Sequence, residues 1–135
     1  MSRLKYLTVA LALTAAACGS SDSGNPTTPT IPTVTDTYSE SLTKNDAVTK
    51  SFVTSQSGPV TATLTTLAPD STLVVGLALG TWNGTACQVV LANDKATQGS
   101  VVDAQASTSG NLCVRVYDVG NVTTPTTFEV QVVHY

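Results

Sequence analysis

Three cysteines, one histidine, one tryptophan and nine carboxylates are the residues with which this chain could do chemistry. Nucleophilic catalysis needs a serine, threonine or cysteine beside a histidine base that an acid holds in place. The one histidine, His134, is the penultimate residue of "TFEVQVVHY", an alternating run that reads as a closing strand. Zinc asks for about four Cys, His or carboxylate ligands, and His134 alone is too few once Cys87 and Cys113 pair with each other. A phosphate-cradling glycine loop, a dinucleotide motif and an EF-hand run are all missing from the sequence. No metal or cofactor is therefore expected. The carboxylates, Asp36, Glu40, Asp46, Asp70, Asp94, Asp103, Asp118 and Glu129 with Asp22 upstream, are scattered without a sequence-local pair. A small hydrolase would have to bring two of them together in space, as glycosidases do. Catalysis is not the expectation.

Trp82, in "GTWNGTAC", admits two readings. A tryptophan on a turn can stack on a sugar ring or a partner protein, and it can also close the core beside Cys87. Tyr117 and Asp118, in "YDVGN", read as a strand end and a turn. Without Arg3 and Lys5 the basic residues are Lys44, Lys50, Lys95 and Arg115, against nine acidic ones, a side-chain balance of −5. Such a surface disfavours nucleic acid.

The cysteines divide by position. Cys18 ends "YLTVALALTAAACGSSDSG", where Arg3 and Lys5 precede an apolar run shorter than the roughly 20 residues of a membrane-spanning helix. This is the pattern of an export signal over residues 1–17. The run and its cysteine resemble a bacterial lipoprotein signal, although Ala15 stands where that family usually has leucine. The resemblance implies that Cys18 is diacylated on sulfur, becomes the new N-terminus by cleavage and is then N-acylated, tying the chain to membrane lipid. It also implies an outer-membrane address, facing the periplasm or the surface, because Gly19 stands where an inner-membrane retention signal has Asp. A second reading of the same letters takes Ala15-Ala16-Ala17 as an ordinary cleavage site and leaves Cys18 a free thiol, which is chemically awkward in an oxidising compartment.

Setting Cys18 aside leaves Cys87 and Cys113, an even pair expected to form a disulfide. Closing a loop of about 27 residues would add roughly 3.5 kcal/mol in the chain-entropy model. In "NLCVRVYDV", Leu112, Val114 and Val116 share one face, and Cys113, Arg115 and Tyr117 the other, which reads as the outer face. The bond is thus expected at a sheet surface or edge.

Residues 18–35 are rich in Ser, Thr, Pro and Gly and bury too little to offset chain entropy, so they read as a lipid-anchored tether. Residues 36–135 suffice for one domain with one core. Val and Thr dominate them and turn residues recur. In "PVTATLTTLAPD", Val60, Ala62 and Leu64 alternate with threonines before a turn at Ala68-Pro69-Asp70. "STLVVGLALG" is almost wholly apolar, which predicts a central strand covered on both faces. A turn at Asn83-Gly84 follows. With "ACQVVLA", "SVVDAQA", "LCVRVYDV" and "TFEVQVVHY" after it, and "DTYSESL" and "VTKSFVTS" before, about eight short strands predict an all-β antiparallel sandwich.

Gly58, Val60, Ala62 and Leu64, then Gly110, Leu112, Val114 and Val116, then Phe128 and Val130, resemble the strand motifs of the bacterial pre-peptidase C-terminal domain. That resemblance implies a jelly-roll-like sandwich appended to exported proteins. Only Asp70 remains of the acidic pattern that many family members have after the first turn, and no protease accompanies the module.

These readings together predict a non-catalytic lipoprotein of the cell envelope, serving as a binding, adhesion or accessory module for an envelope protein or glycan. A carbohydrate-binding module using Trp82 is the second reading, and a carboxylate hydrolase the third. The anchor makes a direct prediction: mass spectrometry of the mature N-terminal peptide finds an acylated, blocked Cys18, and an unmodified cysteine there refutes it.

Overall fold

The computed structural model describes Gly24 and residues 28–135; the expected signal, Cys18 and part of the expected tether lie outside them. Eight strands are present: β1 (Val34–Leu42), β2 (Ala47–Thr54), β3 (Gly58–Ala68), β4 (Val75–Trp82), β5 (Cys87–Ala96), β6 (Val101–Ala106), β7 (Gly110–Tyr117) and β8 (Thr126–His134). They form two four-stranded sheets, ordered β1-β8-β3-β6 and β2-β7-β4-β5, with every neighbouring pair antiparallel. First strand pairs with last, second with seventh, third with sixth and fourth with fifth. That nesting is a long folded-back ribbon rolled into two layers, the jelly-roll arrangement. The expected all-β sandwich of about eight strands is the observed fold.

Period-two alternation builds the core. Val60, Ala62 and Leu64 of β3, with Phe128, Val130 and Val132 of β8, face Leu77 and Leu79 of β4 and Val114 and Val116 of β7, all of them buried. The intervening threonines and charged residues point outward or to the rim. Thr61 donates to Asp103 at 2.7 Å, and Thr65 to Glu129 at 2.9 Å, so outer-face polar residues tie adjacent strands together. Strand limits differ from the sequence expectation at two points. β1 begins at Val34, within the expected tether, because residues 34 and 35 pair with His134 and Val133. β4 begins only at Val75, because Asp70 captures the preceding segment in a turn: its carboxylate accepts Thr72 N–H at 2.8 Å, and its carbonyl accepts Leu73 N–H at 3.3 Å.

β4 is buried along both faces from Val75 to Gly80, as its apolar run predicts, and the two faces achieve this differently. Leu77 and Leu79 enter the core. The outer face carries only Gly76, Ala78 and Gly80, and larger groups lie over it. The Tyr117 ring occupies the place of a side chain at Gly76, with ring carbons 2.2 Å from where a Cβ would be. At Gly80 the cover is backbone, since a Cβ there would stand 2.1 Å from the Gln88 carbonyl oxygen and 2.9 Å from Val89 Cα.

That cover exists because β5 does not stay in the plane of its sheet. The β4–β5 register shifts between Leu79 and Gly80, a β-bulge that increases local bend and twist. Beyond it the start of β5 folds across the outer face of β4 towards β7. A disulfide joins Cys87 of β5 to Cys113 of β7, although β4 lies between those strands. Their Cα atoms are 5.7 Å apart. Two strands separated by a third in a flat sheet would be roughly 9.5 Å apart, so the hairpin must have folded over. The bond does lie on a sheet face and involves an edge strand, as expected. Its Cys113 is nevertheless fully buried, because the folded hairpin covers it.

Gly80→Ala should therefore lower stability by about 2 kcal/mol or more, the cost of forcing backbone apart, whereas Gly110→Ala, with nothing near its Cβ position, should be close to neutral. Urea unfolding of the two variants measures the contrast. Replacing both Cys87 and Cys113 by serine should cost about 3 to 4 kcal/mol in the same assay.

Candidate functional site

The folded-over hairpin makes a concavity in which Trp82, Cys87 and Arg115 meet. Its floor is the outer face of β2 and β7, presenting Ala47, Thr49 and Arg115; its wall is the hairpin, presenting Trp82, Thr85, Ala86 and Cys87. The depression measures about 330 Å³ and is shallow, near the lower end of the range for small-molecule sites. Strand register explains the grouping. Thr49 stands opposite Arg115, and Arg115 opposite Ala78, so one row of the sheet runs hydroxyl, guanidinium, methyl. Small residues on β4 leave room for the long side chains of β7 to lie across it.

The wall is held in three ways. Trp82 and Cys87 are opposite partners at the end of the β4–β5 ladder. Asn83 closes the loop between them, its side-chain oxygen accepting N–H from Thr85 at 2.9 Å and from Ala86 at 2.8 Å, while Gly84 takes φ 99°. The expected Asn83-Gly84 turn is therefore present, within a four-residue loop that Asn83 also closes by donating its N–H to the Ala86 carbonyl at 3.2 Å. Finally, the disulfide fixes the hairpin to the floor.

Trp82 is half-buried and stands outside the hydrophobic core cluster. Of the two sequence readings, closure of the core is thus not what the indole does. Arg115, which the sequence reading placed on the outer face without a role, is half-buried beside it. The guanidinium lies over the Tyr117 ring, 5.4 Å from its centroid, a cation–π arrangement. Among the described residues no carboxylate comes within 4.0 Å of it. Tyr117 itself donates to Asp94 of β5. Burial, the Asp94 bond and the Asp94 charge together push the Tyr117 hydroxyl up to about 12, with Arg115 pulling slightly the other way.

The other titratable residues are arranged as structure. His134 is 3% exposed; its Nε2 lies 3.0 Å from Asp36 Oδ2, its Nδ1 3.1 Å from the Tyr135 backbone oxygen, and its ring 4.9 Å from that of Phe52. It is a strand residue, as expected, with both nitrogens engaged. Its partner Asp36 is 98 residues away, which only the β1–β8 pairing reveals. Glu40 and Glu129 line a second shallow depression, but Glu40 pairs with Lys50, and Glu129 accepts from Thr65 and Ser39. Among the described residues no three His, Cys, Asp or Glu are grouped as a metal would need.

Asp118 is the most strongly bound carboxylate. One oxygen accepts N–H from Gly120 and Asn121 at 2.8 Å and from Val122 at 3.0 Å, and the other accepts Asn45 N–H at 2.9 Å. These bonds, the one from Asn45 foremost, hold its carboxyl down at about 2. The side chain clasps the β7–β8 loop to the β1–β2 turn, with Asp118 N–H also donating to the Asp46 carbonyl at 2.9 Å. The turn expected from "YDVGN" is this clasp.

Because the folded pKa of Asp118 lies below that of an unfolded aspartate near 3.8, its contribution is complete above the unfolded value and fades as pH falls towards about 2. Asp118→Asn should lower stability at neutral pH and flatten the acid limb between about pH 4 and 2, as read from denaturation midpoints against pH. Comparison of the sequence with protein-family models gives no match, and no curated protein matches it either.

Proposed function

We propose that this protein is an exported, membrane-anchored lipoprotein of the bacterial cell envelope whose β-sandwich is a non-catalytic binding module. Acylated Cys18 supplies the anchor, the following Ser/Thr/Pro-rich segment the tether, and the sandwich the recognition surface. The concavity between the folded hairpin and the β2–β7 face carries the reading. It combines a half-buried indole, a guanidinium and the hydroxyls of Thr49 on a strand and Thr85 in the hairpin loop, the composition of a recognition surface. Loops with general bases are not needed for such a task. The likeness to the pre-peptidase C-terminal domain fits the same picture, since that family consists of accessory modules on exported proteins.

The position of Trp82 favours a saccharide as ligand. An indole face outside the core, bordered by Thr49 and Thr85, suits the alternation of C–H faces and hydroxyl edges on a sugar ring. Glycan-array binding by the full chain should fall at least tenfold in Trp82→Ala, while Val53→Ala, an exposed site elsewhere on β2, should leave it unchanged. Equal binding by Trp82→Ala and the natural protein would remove Trp82 from the site.

A further inference from the structure

Resting on the saccharide reading, we infer that the Trp82 depression selects acidic saccharides, with Arg115 gripping the carboxylate of a uronic-acid residue whose ring lies against Trp82. Arg115 is the only arginine of the sandwich, in a chain whose side chains are acidic overall. Arginine in such a surface usually finds an acid. Lys50 does so with Glu40. Arg115, like Lys44 and Lys95, has no such partner among the described residues, and its guanidinium nitrogens stay open to solvent and to a ligand. Its row across the sheet, Thr49, Arg115, Ala78 and Ala92, carries no acid, and Asp94 accepts from the Tyr117 hydroxyl. Tyr117 meanwhile offers its ring face, which fixes the guanidinium without using its N–H groups. The result is a preorganised planar fork with free donors at the floor of a concavity. A carboxylate is the acceptor that matches such a fork with two parallel bonds.

The rest of the depression restricts what carries that carboxylate. Trp82 on the wall provides an aromatic group, Thr49 on the floor a hydroxyl, and Thr85 a hydroxyl oxygen that can still accept while it donates to Asn83 Oδ1 at 3.1 Å. A sugar acid offers all three complementary features in one residue: an apolar ring face, hydroxyl edges and a carboxylate. A neutral sugar leaves Arg115 unanswered, and an isolated carboxylate or phosphate leaves the indole unused. The disulfide keeps wall and floor in fixed relation, so the geometry is present before the ligand arrives.

Trp82 is the sole tryptophan, so its emission reports on this depression alone. Oligogalacturonate and oligomannuronate are titrated into the full chain, beside the fully methyl-esterified, neutral form of each. At least one acidic oligosaccharide should give a saturable change in emission, with an affinity about tenfold or more above that of its ester, the scale of a charge-assisted bond pair. Arg115→Gln should remove the preference, and Arg115→Lys should restore part of it, with thermal unfolding checking that both variants are folded. Equal affinity for acid and ester, or an unchanged preference in Arg115→Gln, overturns the inference while leaving the saccharide reading intact. No response to any of the four probes overturns the inference, and the absence of Trp82-dependent binding across the glycan array overturns the saccharide reading as well.

Discussion

The contact between the start of β5 and the outer face of β4 is the constraint on which the candidate site depends. Gly80 permits it, because any side chain there would occupy the position of the Gln88 carbonyl. The bulge between Leu79 and Gly80 directs the chain over it, and Cys87–Cys113 locks it. Without that crossing, β5 would be an ordinary in-plane edge strand, Cys113 would face solvent, and Trp82 would have no floor opposite it. The two sheets could still pack, since Leu77, Leu79, Val114 and Val116 use the other face. What the crossing adds is a concave surface on a sandwich that would otherwise present a flat one.

The outer face of β4 illustrates how small residues direct large ones. Gly76, Ala78 and Gly80 contribute almost no volume, and in return Tyr117, Arg115 and the hairpin backbone lie over them. An aromatic ring covering a cross-strand glycine restores the packing that the glycine lacks. It also accompanies a ring position in which the Tyr117 hydroxyl meets Asp94 and the ring lies under the Arg115 guanidinium. A glycine on one strand thereby makes room for the ring on which the next strand's arginine rests.

Much of this was legible in the residues. Alternation in Val60, Ala62 and Leu64 gave the inward face of β3, and the unbroken run before Gly80 gave a strand covered twice. Even cysteine arithmetic gave the bond. The rest depended on contacts that local pattern does not encode. Cys113 alternates as an outer residue and is buried because a hairpin lies over it, a fact of the bulge rather than of the strand. The His134–Asp36 pair joins the two ends of the domain, and Asp118 reaches a turn 73 residues earlier in the sequence. Trp82 was visible as a residue of interest; its neighbour Arg115 was not, because only the register sets it opposite Thr49 and beside the hairpin wall.

The nested pairing has a kinetic side. β4 and β5 meet across a short loop, whereas β1 must find β8 across almost the whole domain, so contacts are ordered from the middle of the sequence outward. A chain made from its N-terminus holds β1 without its single sheet neighbour until β8 has been made. Sealing that seam is thus the last step in assembling its sheet, while the other sheet needs nothing beyond β7.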